Sequence, residues 1–272
     1  MLKESKKLIS TVVKNFDFVL FYTKYNLASA MEFRFNFFSQ AFFMIINDTM
    51  FFLLWYFFFE HFGKLNGFGF REMIAIWIFA AGSYGWVNAI FGNANNLGKI
   101  ISNGGLDFYF TFPKNHLLHA LVSKTDLSAW GDMMFALLAF VLFFPITVYS
   151  CAWLIVGWFF SSLILLSFYI IVGSLSFWLG RNEVLHNNLM HAFIAFSSNP
   201  SSVVQGFLKF FIFFVIPAGF ATFLPAELLQ TFALDKFIYV VIFSIIFFII
   251  TIFIYNRGLK KYSSGNLINI RS

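Results

Sequence analysis

The sequence is poor in charged residues and has only one cysteine. Asp, Glu, Lys and Arg together make up 11% of its 272 residues, whereas an average soluble domain contains about 25%. So few charges cannot cover the surface of a water-soluble globule of 31.4 kDa. A disordered chain is excluded as well, because disorder requires low hydrophobicity and high net charge. The single cysteine, Cys151, excludes a disulfide framework and a thiolate metal cluster.

Motifs for enzymatic chemistry are also missing. The segment Gly92–Ile100 comes nearest to a phosphate-binding loop, but five residues separate its glycines and isoleucine follows its lysine, where the motif has four residues and Ser or Thr. The pairs His116/His119 and His186/His191 have no carboxylate placed with them, which favours interfacial histidines over metal ligands. The sequence therefore predicts no catalytic residue and no metal site.

Apolar side chains are present in excess. They reach 60% of the chain, and phenylalanine alone contributes 45 residues. A helix needs about 20 mostly apolar residues to cross a bilayer, and the apolar runs do not alternate as the strands of a transmembrane barrel do. The composition therefore predicts an all-α integral membrane bundle of six transmembrane helices. The predicted spans are Asn36–Phe59, Met73–Asn93, Leu127–Tyr149, Ala152–Leu179, Val203–Phe223 and Phe237–Tyr255, with a tight turn at Ser150-Cys151 between the third and the fourth.

The residues before the first span are interpreted as a separate helix. The apolar patch between Asn15 and Arg34 is too short for a secretory signal peptide. We expect this stretch to form an amphipathic helix in the headgroup region; the alternative is a frayed beginning of the first span. The side chains expected to face lipid are Phe16, Leu20, Leu27 and Met31.

The basic residues predict the orientation of the chain. With six spans both termini lie on one side, which carries 15 of the 18 Lys and Arg residues; only Lys64, Arg71 and Lys236 fall on the other. Because cytoplasmic segments retain Lys and Arg, we expect both termini in the cytoplasm and the protein in the plasma membrane. The net charge of +6 is scattered, so nucleic acid is not an expected partner. The predicted organisation is a cytoplasmic N-terminus with the interfacial helix in residues 1–35, a six-span membrane domain in residues 36–256 and a basic cytoplasmic tail in residues 257–272.

Few polar residues lie at membrane depth. Asn47 and Asp48 fall at the midpoint of the first span, where a carboxylate costs on the order of 3 kcal/mol. Asp48 either lines a substrate pathway or is satisfied by a proton or by a neighbouring helix. Asn88 follows small residues in the second span and is expected to bond across a close helix contact or to line the pathway. Asp132, about one turn into the third span, is expected near the headgroups.

Prolines and glycines predict where helices break. Pro217 lies inside the fifth span, where it removes a hydrogen bond and kinks the helix. Pro225 precedes a short helix expected over Ala226–Gln230 at the outer surface. A helix is expected to end at Gly104-Gly105, and Asn115 is expected to cap the next one. The helices of the 94–126 and 180–202 connections are expected to rest on the membrane surface, either packed there or offered to a soluble partner.

Three runs of the sequence resemble a known family. They are Gly105-Leu106-Asp107 followed by Pro113-Lys114-Asn115, then Ser174–Trp178, and then Pro200–Ala226 with its two further prolines. Their order and spacing are similar to those of the six-helix type-2 ABC exporter permeases. The similarity extends over about residues 30–260.

This resemblance implies the transmembrane permease subunit of an ABC transporter, which is not itself an enzyme and binds no cofactor. It would pair with a second copy or a paralogous permease and be surrounded by membrane lipid. Separate ABC ATPase subunits would hold ATP and Mg²⁺ and drive the export of a small amphipathic or lipid-like substrate. The residues implied in coupling to the ATPase are Gly104, Gly105, Leu106, Asp107 and Pro113.

Two alternatives stay open at this point. One is an ATP-independent secondary carrier or channel; such proteins commonly contain inverted repeats and paired broken helices, whereas only the fifth span is expected to break here. The other is a membrane scaffold without transport activity. A Walker-motif protein that co-purifies with the chain would favour the permease over both.

Overall fold

The chain folds into a bundle of helices. A computed structural model describes residues 2–65, 68–199 and 206–262, with the backbone alone for 2–12 and for 208. The structure is 83% helical, and no β-strand occurs in these ranges, so the predicted all-α membrane bundle is confirmed. The helices are α1 (Leu2–Ala30), α2 (Arg34–Phe62), α3 (Phe70–Phe91), α4 (Leu97–Ser102), α5 (Leu106–Phe110), α6 (His116–Val122), α7 (Ala129–Phe143), α8 (Val148–Ser174), α9 (Ser176–Leu179), α10 (Glu183–Ser197), α11 (Phe207–Phe214), α12 (Leu224–Gln230) and α13 (Leu234–Leu259).

The connections give the bundle two different ends. The connection with α4, α5 and α6 lies where α3 finishes and α7 begins; α8 and α13 also finish there. We call this the long-loop end. Brief connections follow α2, α7 and α12 at the opposite end, which we call the short-loop end.

Four segments of the described chain are long and apolar enough to cross a membrane. They are Val13–Phe62, Phe70–Phe91, Val148–Leu179 and Leu234–Leu259. They contain the predicted first, fourth and sixth spans and all of the second except its last two residues. The third and fifth predicted spans differ from the sequence expectation.

The third span is shorter than predicted because a proline ends it. α7 is apolar but has only 15 residues, and Phe144 is extended (φ −120°, ψ 145°), as the residue before a proline prefers. Thr147 then caps α8: its Oγ1 accepts from the N–H of Ser150 at 3.1 Å. The predicted turn at Ser150-Cys151 is therefore wrong, since both residues already belong to α8.

The fifth span is a broken element. α11 ends at Phe214, residues 215–217 form a turn that includes Pro217, and a π-helical turn over Gly219–Phe223 leads into α12. Pro225 lies in the first turn of α12, a position that tolerates proline. Residues 200–205, and with them the beginning of the predicted span, lie outside the described residues.

The N-terminal helix is longer than predicted and continues almost directly into α2. One 3₁₀ turn over Met31–Phe33 joins α1 to α2. Of the four side chains expected to face lipid, Phe16 and Leu20 are exposed, whereas Leu27 and Met31 are half-buried. The four therefore do not form one exposed face of the helix. At the other terminus, residues 263–272 of the predicted basic tail lie outside the described residues.

α10 departs from the expected position on the membrane surface. Its buried stripe consists of His186, Met190, Phe193 and Ser197, while Val184 is 76% exposed. Phe193 packs on Phe168 of α8, with ring centroids 5.1 Å apart. The helix therefore runs from the long-loop end into the bundle.

α3 is the central helix and is held by close contacts at glycines. Most of its residues are buried, and it packs against α2, α7, α8 and α12. A Cβ atom at Gly82 would lie 2.1 Å from Nε1 of Trp158 in α8, and one at Gly85 would lie 2.7 Å from the backbone nitrogen of Met133 in α7. Such approaches require small residues. The helices that pack on this small-residue segment thus belong to the same chain.

A larger side chain at one of these glycines is expected to destabilise the bundle. Gly85→Leu places a side chain against the backbone of α7, and overpacking of this kind costs about 1–3 kcal/mol. The apparent melting temperature of the detergent-solubilised protein, followed by size-exclusion fluorescence, should fall. The matched control is Ala152→Leu, at an exposed position of α8, which should leave it unchanged. Equal stability of the two variants would contradict the close packing.

Candidate functional site

A cleft of about 320 Å³ lies beside α3, between α2, α7 and the end of α10. It combines polar groups with aromatic walls. None of the described residues that line it is Lys, Arg or His. The aromatic side chains of the lining are Phe51, Trp55, Trp77, Tyr84 and Phe193.

Two carboxyl groups meet in this cleft. Asp48 comes from the midpoint of α2 and Asp132 from the first turn of α7, and each is only 3% exposed. The two side chains are close enough to interact directly. Two carboxyl groups thus lie side by side in the interior of the bundle. The Oδ2 atom of each is buried without a hydrogen-bond partner among the described residues.

Close packing of α2 against α7 brings the two carboxyl groups together. A Cβ atom at Gly131 would lie 2.3 Å from the carbonyl oxygen of Ala41. Asp132 follows this glycine directly, and Asp48 lies two helical turns beyond Ala41 on the same face. Asp132, which was expected near the headgroups, is buried in the bundle next to Asp48. Gly131 beside Asp132 was a sequence signal of close packing, but it does not show which helix packs there.

The predicted pathway residues are only partly brought together. Asn47 and Asp48 both line the cleft, but Asn88 does not. Asn88 is 2% exposed, and its Nδ2 donates to the carbonyl of Tyr84 at 3.0 Å and to the hydroxyl of Tyr169 in α8 at 3.3 Å. Of its two expected roles, the structure places it in the interhelical one.

The segment from Gly104 to Pro113 forms a sharp turn at the long-loop end. Gly104 has φ +73°, a conformation that glycine adopts without strain. The N–H of Gly105 donates to the carbonyl of Ile100 at 2.8 Å, which closes α4 at the paired glycines. Asn115 caps α6 by accepting from the N–H of Leu118 at 2.9 Å. We call residues 104–113 the turn segment.

One side of the turn segment is anchored and the other is open. Leu106 and Tyr109 are buried, whereas Pro113 is exposed. Three phenylalanines in alternate positions are also open, namely Phe108 (60% exposed), Phe110 (44%) and Phe112 (40%). An exposed apolar surface of this kind indicates a site that a partner protein or a lipid surface covers.

The turn segment is connected to the end of α13. Burial, together with the neighbouring carboxylate of Asp107, raises the pKa of Tyr262 to about 12. The ring centroid of Phe110 lies 5.9 Å from that of Tyr262. Just beyond the segment, the ring of His116 stacks on the ring of Tyr255, with ring centroids 5.8 Å apart. The turn segment and the first residue of α6 therefore contact the end of α13 and the residues just after it.

A second connection leads from the turn segment to the cleft. Asn93, at the end of α3, donates from Nδ2 to the hydroxyl of Ser123 at 2.8 Å, just after α6. The hydroxyl of Thr125 donates to the carbonyl of Ala89 at 2.7 Å. α7 begins four residues later and carries Asp132 in its first turn. The cleft thus lies one short connection away from the turn segment.

A polar contact fixes α4 to the region around α9 and α10. Asn95 pairs with His186 Nε2 at 2.8 Å, and the hydroxyl of Ser176 donates to Asn182 at 2.7 Å. A Cβ atom at Gly98 would lie 2.9 Å from that hydroxyl oxygen. α4, the helix before the turn segment, is therefore held in place by contacts with neighbouring elements, as is α6, the helix after it.

α1 packs on the outside of α6. The hydroxyl of Tyr22 lies 2.6 Å from Nε2 of His119, and Asn26 donates to the carbonyl of Val122 at 2.9 Å. The ammonium group of Lys114 lies 5.3 Å from the ring centroid of Phe18, within the range of a cation–π contact.

Comparison with known proteins decides the family. The profile described as ABC-2 family transporter protein matches residues 45–265. The chain belongs to the ABC-2 transporter family. It is therefore a membrane protein and the permease subunit of an ABC transporter, and the transmembrane subunits of this family are generally not catalytic themselves. No curated protein and no solved structure matches it.

The family match includes the cleft and the turn segment but not α1. It begins within α2 at residue 45, three residues before Asp48. The contacts of α1 with His119 thus connect a helix outside the matched region to the helix that follows the turn segment.

Acidification is expected to loosen α1 from α6. Burial lowers the pKa of His119 below its ordinary value of 6.5. His119 therefore takes up a proton more readily when α1 has separated from α6. The contact is therefore fully present above about pH 6.5 and weakens as the pH falls toward the lowered pKa of the docked state. Hydrogen exchange of residues 13–30, corrected for the intrinsic rate, should be faster at about pH 5.5 than at about pH 7.5.

Two glutamine variants control this experiment. His119→Gln removes the titrating group and should abolish the pH dependence, whereas His191→Gln, at an exposed position of α10, should retain it. His116 and His186 also have pKa values lowered by burial, but they contact Tyr255 and Asn95 rather than α1. A pH dependence that persists in His119→Gln would contradict the assignment.

Proposed function

We propose that this permease forms half of the membrane pathway of an ATP-driven exporter for a small amphipathic or lipid-like substrate. A separate ATPase subunit, which holds ATP and Mg²⁺, binds the turn segment. The residues proposed to couple the two subunits are Gly104, Gly105, Leu106, Asp107 and Pro113. The observation that supports this most strongly is the open row of phenylalanines on an otherwise anchored turn.

The arrangement of the turn segment suits a lever. Leu106 and Tyr109 fix it to the bundle, so a force on the exposed Phe108 or Phe112 moves the segment as a unit. Its contacts with α13 and, through the 123–128 connection, with α7 pass the movement to the helices around the cleft. ATP can change the arrangement of these helices only by binding one arrangement of the complex better than another.

The orientation follows from the same proposal. An ATPase is a cytosolic protein, so the long-loop end and both termini face the cytoplasm of a cell bounded by the plasma membrane. Ser128, just before α7, and residues 197–199, at the end of α10, line the cleft. In this proposal, cargo from the cytosol or from the inner leaflet enters the cleft past Ser128.

A second permease, either another copy or a paralogue, completes the pathway in this proposal. α2 offers a long apolar face, because large side chains such as Phe35 (89% exposed), Phe42 (58%) and Phe43 (65%) lie open along it. Lipid covers such a face equally well. The mass of the complex extracted in native nanodiscs measures the number of permease chains, for which we expect two.

The turn segment is expected to crosslink to the ATPase. A photoreactive amino acid at position 112, in place of Phe112, should form an adduct with a Walker-motif protein when whole cells are irradiated. The control is the same amino acid in place of Val148, which is 90% exposed at the short-loop end and should give no such adduct. Adducts from position 148 alone, or from neither position, would contradict the docking site.

Loss of the coupling residues is expected to separate ATP hydrolysis from transport. Asp107→Ala removes the carboxylate beside Tyr262, and Pro113→Ala removes the rigid end of the turn; neither fills a core position. The purified complex should continue to hydrolyse ATP, while the ATP-dependent uptake of a fluorescent amphipathic dye into inverted vesicles falls to background. Asp17→Ala, at an exposed site of α1, is the control. Unchanged dye uptake in both coupling variants would argue against the lever.

One observation favours a second candidate, an ATP-independent carrier that exchanges cargo for protons. Two carboxyl groups lie side by side inside the bundle, and acidic groups inside transmembrane segments are typical elements of proton relays. The two candidates differ in their energy source. Transport that persists in vesicles without ATP and stops when the proton gradient is collapsed would favour the carrier.

A further inference from the structure

We propose that the cleft binds a monovalent organic cation, with its ammonium group at the Asp48–Asp132 pair and its apolar part among the aromatic side chains. This substrate class rests on the proposed function, in which the cleft is the cargo site.

The charge of the cleft argues for a cation. Asp48 and Asp132 are each only 3% exposed, and the described residues that line the cleft with them include no Lys, Arg or His. Both Oδ2 atoms stay buried without partners among the described residues, and an unpaired buried polar group is costly. An ammonium group donates up to three hydrogen bonds, so one such group satisfies both oxygens and stabilises a negative charge on the pair.

No cationic side chain of the described residues competes for this position. The titratable groups that face the pair from neighbouring elements are Tyr84 of α3, which lines the cleft, and Asp126 of the connection before α7. Neither brings a positive charge. An anionic head would meet only acidic groups here, and a neutral head would leave the charge of the pair unpaired.

The walls of the cleft suit the rest of such a molecule. Phe51 and Trp77 are stacked, with ring centroids 5.8 Å apart, and Trp55 lies on the same helix as Phe51, one turn further on. The faces of aromatic rings attract cations, and tryptophan does so most strongly. A volume of about 320 Å³ lies at the lower end of the range of small-molecule sites, about 300–1,000 Å³. The cleft therefore accommodates a head group and the first part of an apolar chain.

A matched pair of amphiphiles tests the sign of the charge. The permease is placed in lipid nanodiscs without any ATPase, and the binding of decylammonium and of decyl sulfate is measured by calorimetry below their micelle concentrations, with empty nanodiscs subtracted. We expect saturable binding of decylammonium with a Kd at least about tenfold lower than that of decyl sulfate. Equal affinities, or no saturable binding of decylammonium, would overturn the proposal.

Variants of the cleft test its location. Asp48→Asn and Asp132→Asn should each weaken decylammonium binding by about tenfold or more, and Trp55→Leu should weaken it several-fold. Asp235→Asn, at an exposed carboxylate at the beginning of α13, should leave it unchanged. Unaltered binding in both carboxyl variants would also overturn the proposal. If those two variants do not fold, the amphiphile comparison and Trp55→Leu still decide it.

The two proposals can fail separately. Because the binding experiment contains no ATPase, a negative result there removes the cation site while the crosslink from position 112 stands. A missing crosslink with intact decylammonium binding removes the ATPase-driven export and leaves the cation site in place.

Discussion

Close contact between helices at glycine is the constraint on which the rest of this structure depends. Lipid is as apolar as the side chains that face it, so helices in a bilayer associate through tight packing and hydrogen bonds rather than through the hydrophobic effect. Gly82 and Gly85 bring α3 against α8 and α7, and Gly131 brings α7 against α2. These contacts place Asp48 beside Asp132, position Asn88 for its bond to Tyr169, and define the walls of the cleft. Without them neither carboxylate has a partner at membrane depth.

The lever proposed for the turn segment depends on the same packing. The end of α3 holds α6 through Asn93, and the aromatic contacts of His116 and Phe110 hold the end of α13 and the residues just after it. The surface proposed for the ATPase is thus joined to the cleft through α6 and the 123–128 connection. The contact of α1 with His119 adds a helix outside the family match to this junction.

Much of the fold could be predicted from the sequence, because hydropathy alone decides where a chain can enter lipid. Four predicted spans correspond to long apolar helices. The third predicted span was too long because the apolar count ran across Pro145, although a proline favours an extended conformation of the residue before it. α10 could not be placed, because its buried stripe mixes His186 and Ser197 with Met190 and Phe193. The carboxyl pair required knowing that α2 and α7 are neighbours, which periodicity in one helix does not reveal.

The measurement that tests the account most directly is the reactivity of a single cysteine in the cleft. Asn47→Cys, in a Cys151→Ser background, is labelled with a maleimide in the complex with the co-purified ATPase, with and without an ATP analogue that traps the bound state. We predict a several-fold change in the labelling rate upon trapping, and no change when Tyr262→Ala cuts the contact between the turn segment and α13. Identical rates in the free and the trapped complex would contradict the link between the ATPase and the cleft.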